Sequence, residues 1–166
     1  MTVTFDTNVF PAGERHARAV RLGIDVVTVT VARREAEGSS FEDEIRTLST
    51  VLETGVLGES RWGECVWGSR SDGNLLERLL DLLSNHSFPA PGHREHLSSG
   101  QRRQLRDAMI LCAHLHKKRD ILVSNDKRAF INDGRREAIE NEFDTRIMTV
   151  EEFDAFLDER ERCSTV

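Results

Sequence analysis

A three-layer α/β/α fold around a mostly parallel sheet of four to five strands is predicted by three features of the sequence. Short apolar, β-branched runs alternate with segments of helical period in the order β-α-β-α…α-β-α-β-α, which implies a parallel sheet covered on both faces. The run Ile121-Leu122-Val123-Ser124, stopped by Asn125-Asp126, has the look of an interior parallel strand. At 166 residues, with 38% hydrophobic and 31% charged residues, the chain is the size of one domain with a substantial core.

The elements follow in order. Val3-Thr4-Phe5 is a brief strand ending at Asp6-Thr7-Asn8, and a helical pattern runs from Arg15 to Leu22. Ile24 to Val31 is rich in β-branched residues and is read as the second strand, with a helix beginning at Ala32. Apolar residues at 41, 45, 48 and 52 predict a helix from Phe41 to Leu52. Gly55 to Gly73 holds five glycines and both tryptophans, Trp62 and Trp67, and is expected to be a loop. It opens a surface elaboration that extends to about residue 100. Asn74 to Leu83 is amphipathic, with Asn74 a candidate cap and the stripe Leu75, Leu76, Leu79, Leu82, Leu83 a core or dimer face. After a loop from Ser84 to Gly100, a helix from Ser99 to Lys118 carries Asp107, Ile110, Leu111, His114 and Leu115 along one side. Arg146-Ile147-Met148 is the last strand. Thr149 and Glu152 form a capping box for a helix from Val150 to about Glu159.

Net charge is −6, but it is unevenly placed. Gln101 to Arg136 contains ten Lys or Arg against four Asp, and Glu137 to Val166 contains ten Asp or Glu against three Arg. Local potential steers a polyanion more than net charge does. The segments Arg102-Arg103-Arg106, Lys117-Lys118-Arg119 and Lys127-Arg128 are therefore candidate phosphate contacts. Cys65, Cys112 and Cys163 are odd in number and far apart, which suits reduced thiols in a cytoplasmic protein. No run approaches 18 apolar residues, so no membrane partner is expected.

Acids recur at one position relative to the strands. Asp6 and Asp126 each follow a strand, Glu35 lies about a turn into the helix after the second, and Asp107 is on the helix that feeds the Ile121 strand. Glu37 competes with Glu35. In open α/β sheets the carboxyl ends of parallel strands share the ligand-binding edge. Four acids there repel one another unless cations neutralise them. Oxygen donors select Mg²⁺ or Mn²⁺, ions that support phosphodiester hydrolysis. For any one acid, a turn or helix-capping role is the bland alternative.

At FDTNVF (Phe5 to Phe10), TVARRE (Thr30 to Glu35), RDAMILCAH (Arg106 to His114), LVSNDKRAF (Leu122 to Phe130) and RIMTVEEF (Arg146 to Phe153) the chain resembles the PIN-domain nucleases, a family that includes the VapC toxins of toxin–antitoxin pairs. The resemblance implies a cytoplasmic, metal-dependent endoribonuclease using Mg²⁺ or Mn²⁺. Asp6 would be the shared ligand, Asp107 and Asp126 would complete one site, and Glu35 would serve a second site or orient water. Asn8 and Ser124 match the small polar positions that hold the acids, with Thr7 and Asn125 in the same motifs. Arg103, Arg106, Lys127 and Arg128 would meet RNA. For the toxin branch a small antitoxin protein is the implied partner, with a homodimer as a further expectation. A further acid that some members carry before the Phe is absent here, where Lys127-Arg128-Ala129 stands. Asp133 is its candidate replacement, or else a turn residue before Gly134.

Other chemistries are poorly served. His114 and His116 point to different helix faces, and His93 and His96 lack Cys or His companions. There is no GxxxxGK[ST] and no GxSxG. The remaining alternative to a nuclease is a PIN-like module that binds RNA or a partner protein without cleaving.

Overall fold

The computed structural model describes residues 1–164. Its elements in chain order are β1 (Thr2–Phe5), α1 (Gly13–Arg21), β2 (Asp25–Val29), α2 (Thr30–Glu35), α3 (Glu42–Thr47), β3 (Ser49–Val51), β4 (Glu53–Thr54), β5 (Cys65–Val66), α4 (Arg70–Leu83), α5 (Ser99–His116), β6 (Ile121–Val123), α6 (Arg135–Phe143), β7 (Arg146–Met148) and α7 (Val150–Ser164). Short helical turns at Thr7–Val9, Pro91–His93 and Lys127–Ile131 fill the connections.

The central sheet has five strands in the order β3-β2-β1-β6-β7, and every pairing is parallel. This is the predicted α/β/α architecture. The side-chain alternation of β1 shows its two faces. Phe5 meets Phe153 of α7 edge to face at 5.6 Å, while Thr4 meets the His114 ring of α5 at 2.9 Å. The helix α1 lies beside α7 and is tied to it by Arg15–Asp154, a bidentate pair, and by Arg18 with Asp158 and Glu161. Much of the C-terminal excess of acids is thus one partner of a helix–helix zipper. On the other face α4 packs on α5, and Leu76, Leu79, Leu80 and Leu83 are buried there. The leucine stripe of α4 is core.

Several boundaries differ from expectation for physical reasons. The segment predicted as one helix from 41 to 52 is helical only over α3. Ser49-Thr50-Val51 is β-branched and is drawn out to pair with β2, adding an edge strand that its 3.6-period hides. The second strand stops at Val29, because Thr30 already enters α2. The cap of α4 is Ser69, in a reciprocal capping box with Asp72, so the helix starts four residues before Asn74. The glycine-rich stretch contains β5, which pairs in parallel with β4 just ahead of that stretch. A Cβ on Gly68 would stand 2.5 Å from the Thr54 side chain, so only glycine lets the chain pass there. The last helix extends past Glu159 to Ser164. The Thr149–Glu152 capping box is as read, with Thr149 N–H donating to the Glu152 carboxylate at 2.8 Å.

The helix α5 is the longest element and carries Asp107 midway along it. Its N-terminus is held by Ser98, whose hydroxyl accepts from Gln101 N–H while the Gln101 amide oxygen accepts from Ser98 N–H. Ser98→Ala should cost about 1 kcal/mol in urea denaturation. Farther along, His114 is sealed in the core. Its ring contacts Thr4 and Thr145 hydroxyls at 2.9 and 2.7 Å, and burial holds its pKa down to about 3. It is a neutral core histidine. His116 pairs with Asp72 instead, so the two histidines share no site. Among the described residues no helix is long and apolar enough to cross a membrane.

Candidate active site

The strands β1 and β6 are neighbours and run in the same direction, so the residues that follow them arrive at one edge of the sheet. Asp6 follows β1. It is 3% exposed, yet both oxygens are hydrogen-bonded. Thr7 N–H donates to Oδ1 at 2.6 Å; the Ser124 hydroxyl and the Asn8 amide donate to Oδ2 at 2.6 and 2.8 Å. Asn8 turns its other end to the backbone N–H of Asn125, at 2.7 Å. Ser124 in turn accepts from Asp126 N–H at 3.0 Å. The Asn125 side chain reaches away to accept from Val150 N–H, pinning the start of α7. Asn8 and Ser124 therefore lock the two strand ends together, while Thr7 ties Asp6 to Glu35 and the Asn125 side chain ties the β6 end to α7.

Asp126 is both things the sequence allowed. Its Oδ1 caps the following turn, accepting from Arg128 and Ala129 N–H at 2.9 and 2.8 Å. Its Oδ2 receives no hydrogen bond from a described residue. Glu35, at the end of α2, receives the Thr7 hydroxyl on Oε2 at 2.8 Å. Glu37 points elsewhere, into a pair with Arg61.

Asp107 is the least satisfied of the four. It is 9% exposed, and no described residue donates a hydrogen bond to it. Burial raises its pKa most, and the charges of Asp6, Asp126 and Glu35 add to this against a smaller pull from Arg103, so it stands at about 9. Asp6 is pushed up to about 6, chiefly by burial, despite the lowering effect of the Ser124 bond. Asp6 and Asp107 each feel the charges of Glu35 and Asp126, and of these acids Asp107 and Asp126 line the adjoining cleft.

Asp107 and Asp126 line a cleft of about 310 Å³ together with Arg103, Arg128, Arg135 and Gln101. Among the described residues Arg103 and Arg128 form no ion pair, in contrast to the ion-paired arginines of α1 and α2. Arg135 is a cleft residue that sequence pattern did not single out. It donates to the Arg128 carbonyl, and its side chain is 13% exposed. Only its closeness in sequence to the Asp126 motif could have flagged it.

Two expectations are corrected, and the open choice at Asp133 falls to the turn residue. Arg106 does not face the cleft as a free cation: its guanidinium is bound by Glu59 and stands 3.8 Å from Glu35. Lys117-Lys118-Arg119 lies at the opposite edge, where the strands begin; Arg119 donates to the carbonyls of Val3 and Asp25 and to the Asp25 carboxylate. Asp133 does not stand in for the missing acid. It occupies a left-handed turn position, φ 60°, with its side chain 73% exposed. Lys127 is exposed but does not line the cleft.

The sequence pattern also missed a buried ion pair next to the site. Glu53 is fully buried, and its carboxylate binds Arg34 at 2.6 Å and the Thr30 hydroxyl at 2.9 Å. Its N–H donates to the same hydroxyl. Glu53 lies in a short edge strand with no period to mark it.

Chemically, the donor set suits a hard divalent cation. It is carboxylate only, and one member is buried with no donor among the described residues. Among the described residues no three His, Cys, Asp or Glu side chains form a ready-made metal cage. Mg²⁺ needs none, since it is commonly held by one or two carboxylates with waters and substrate phosphate. Compared with known proteins, the chain matches no family model, no curated protein and no solved structure.

Proposed function

We propose that this protein is a divalent-metal-dependent endoribonuclease of the PIN-domain kind. The observation that carries it is Asp107: a buried carboxylate, without a donor among the described residues, facing a cleft that it shares with Asp126 and with Arg103 and Arg128, which form no ion pair among the described residues. A protein does not keep such a group for stability. A cleft lined by both acids and arginines suits a ligand that brings both cations and phosphate.

Each residue then has a task. Asp6 is the rigid ligand, its oxygens oriented by Thr7, Asn8 and Ser124. Asp107 and Asp126 offer the oxygens that lack donors. Glu35, held through one oxygen by Thr7, offers the other to a divalent cation. Arg103 and Arg128 hold the phosphodiester, with Arg135 behind them. When bound, Mg²⁺ or Mn²⁺ lowers the pKa of water and neutralises charge at the leaving oxygen. Ala129, buried where some family members carry an acid, leaves one fewer ligand for a second ion.

The experiment is incubation of the purified chain with a panel of RNAs in Mg²⁺ and in Mn²⁺, beside Asp6→Asn and a chelator control. Cleavage by wild type alone, and only with metal, is expected. If wild type and Asp6→Asn leave every RNA equally intact, the enzyme reading is lost. The second reading, a module that binds RNA without cutting it, is favoured by Ala129 and by the open arrangement of the acids. Metal-independent retention of RNA with no cleavage would select it. Growth arrest on expression, relieved by a neighbouring small protein, would add the toxin–antitoxin role.

A further inference from the structure

The loop between β4 and β5 turns back onto the two helices that carry the acids. Glu64 pairs with Arg34 at 3.2 Å, Arg61 pairs with Glu37, and Glu59 pairs with Arg106 and, at 3.5 Å, with Arg102. Arg34 and Arg106 immediately precede Glu35 and Asp107. The loop is therefore fastened at the residues next to two of the site acids.

The Glu59 contact is the informative one. Its side chain is only 6% exposed, and among the described residues the two arginines are its only side-chain partners. Arg106 sits between two carboxylates. Its Nε donates to Glu59, and its Nη1 is 3.8 Å from Oε1 of Glu35, beyond hydrogen-bond length. Thr7 already occupies Oε2 of Glu35, so Oε1 is the oxygen that is free. Were Glu59 uncharged, the nearest carboxylate left to Arg106 would be Glu35. An arginine closing on that oxygen would form a charge-assisted pair, take up its lone pairs and place a positive charge where a cation must bind.

We infer that Glu59 is a positioning residue that holds Arg106 away from Glu35, keeping Oε1 of Glu35 open to a divalent cation. The inference rests on reading the acid cluster as a metal site. It gives the glycine-rich loop a task at the site rather than on the surface.

The test is Mn²⁺ binding, measured by calorimetry and by the electron paramagnetic resonance signal of free Mn²⁺. The proteins are wild type, Glu59→Gln, Arg106→Gln and the double variant, each also in a Glu35→Gln background. Glu59→Gln should weaken Mn²⁺ binding about tenfold. Arg106→Gln should bind as well as wild type or better, and the double variant should regain that affinity. In the Glu35→Gln background, Glu59→Gln should change nothing. The inference is overturned if Glu59→Gln binds like wild type, if the double variant stays as weak as Glu59→Gln, or if the loss persists without Glu35. If Glu59→Gln does not fold, Arg106→Gln decides: affinity at or above wild type supports the inference, and a loss overturns it. Failure of wild type to bind Mn²⁺ would overturn the metal site and this inference together. Normal binding with an unaffected Glu59→Gln removes this inference alone.

Discussion

Asp107→Asn should melt roughly 10 °C above the wild-type chain at pH 8 in a chelator, while losing roughly a hundredfold or more in metal-dependent RNA cleavage. The stability gain follows from linkage. The Asp107 carboxyl is held at about 9 in the fold against 3.8 in a free chain, so between those values the folded state binds more protons than the unfolded one. Its contribution to stability is fully present below about pH 4 and is lost as pH rises through about 9. Asparagine fills the same space with no charge to bury and removes that slope. Each pKa unit corresponds to about 1.4 kcal/mol, and after a discount for coupling among the acids the effect at pH 8 is on the order of 3–5 kcal/mol. At pH 4 the two proteins should melt together. Mg²⁺ or Mn²⁺ should raise the wild-type melting temperature at pH 8 and leave Asp107→Asn nearly unmoved. Equal melting across the pH range would mean that Asp107 is not desolvated as described. His114 acts in the opposite sense: its depressed pKa makes stability rise with pH up to about 6.5, identically in both proteins, so it cancels from the comparison.

Arg34→Ala should lower stability by about 3–5 kcal/mol, read as a shift of the urea midpoint, because it strands the Glu53 carboxylate. Glu53 is wholly buried, and among the described residues the Thr30 hydroxyl is its only other side-chain donor. Replacing both partners, as Arg34→Met with Glu53→Leu, should cost far less than Arg34→Ala alone, since no charge is then left without a partner. The pair is also close to function: Arg34 precedes Glu35 on α2 and holds Glu64 of the β4–β5 loop. The double apolar variant should therefore fold well yet bind Mn²⁺ more weakly. A double variant as unstable as the single one would show that packing at this corner, and not charge, sets the cost.

How much was legible in the chain depends on the range of the interaction. Asp6 and Asp126 could be found because each follows a strand whose apolar run announces its end, and Asp107 because it breaks the stripe of a long helix. Thr7, Asn8, Ser124 and Asn125 stand out by lying beside those acids; in the structure Asn8 and Ser124 join the strand ends, Thr7 reaches Glu35 and Asn125 reaches α7. The apolar spacing around Ser49-Thr50-Val51 also fits a helix; only the free edge of β2 makes it a strand. Asn74 directly precedes the leucine stripe and so reads as a cap, whereas Ser69 and Asp72 satisfy the helix end from farther upstream.

By itself, the sequence determined the local things: the order of strands and helices, the residue types at the strand ends, and the apolar faces, all set by periodicities of two and 3.6 within short windows. The tertiary structure alone decided which charges are spent and which remain. Lys117 to Arg119 went to the far edge, Arg106 was taken by Glu59, Arg34 by Glu53, and Arg135 joined Arg103 and Arg128 in the cleft. Ion pairing at a few ångströms depends on where distant segments meet, and Glu59 is 47 residues from Arg106 in the chain. No pattern in one segment encodes that distance; the packing of the β4–β5 loop against α2 and α5 does.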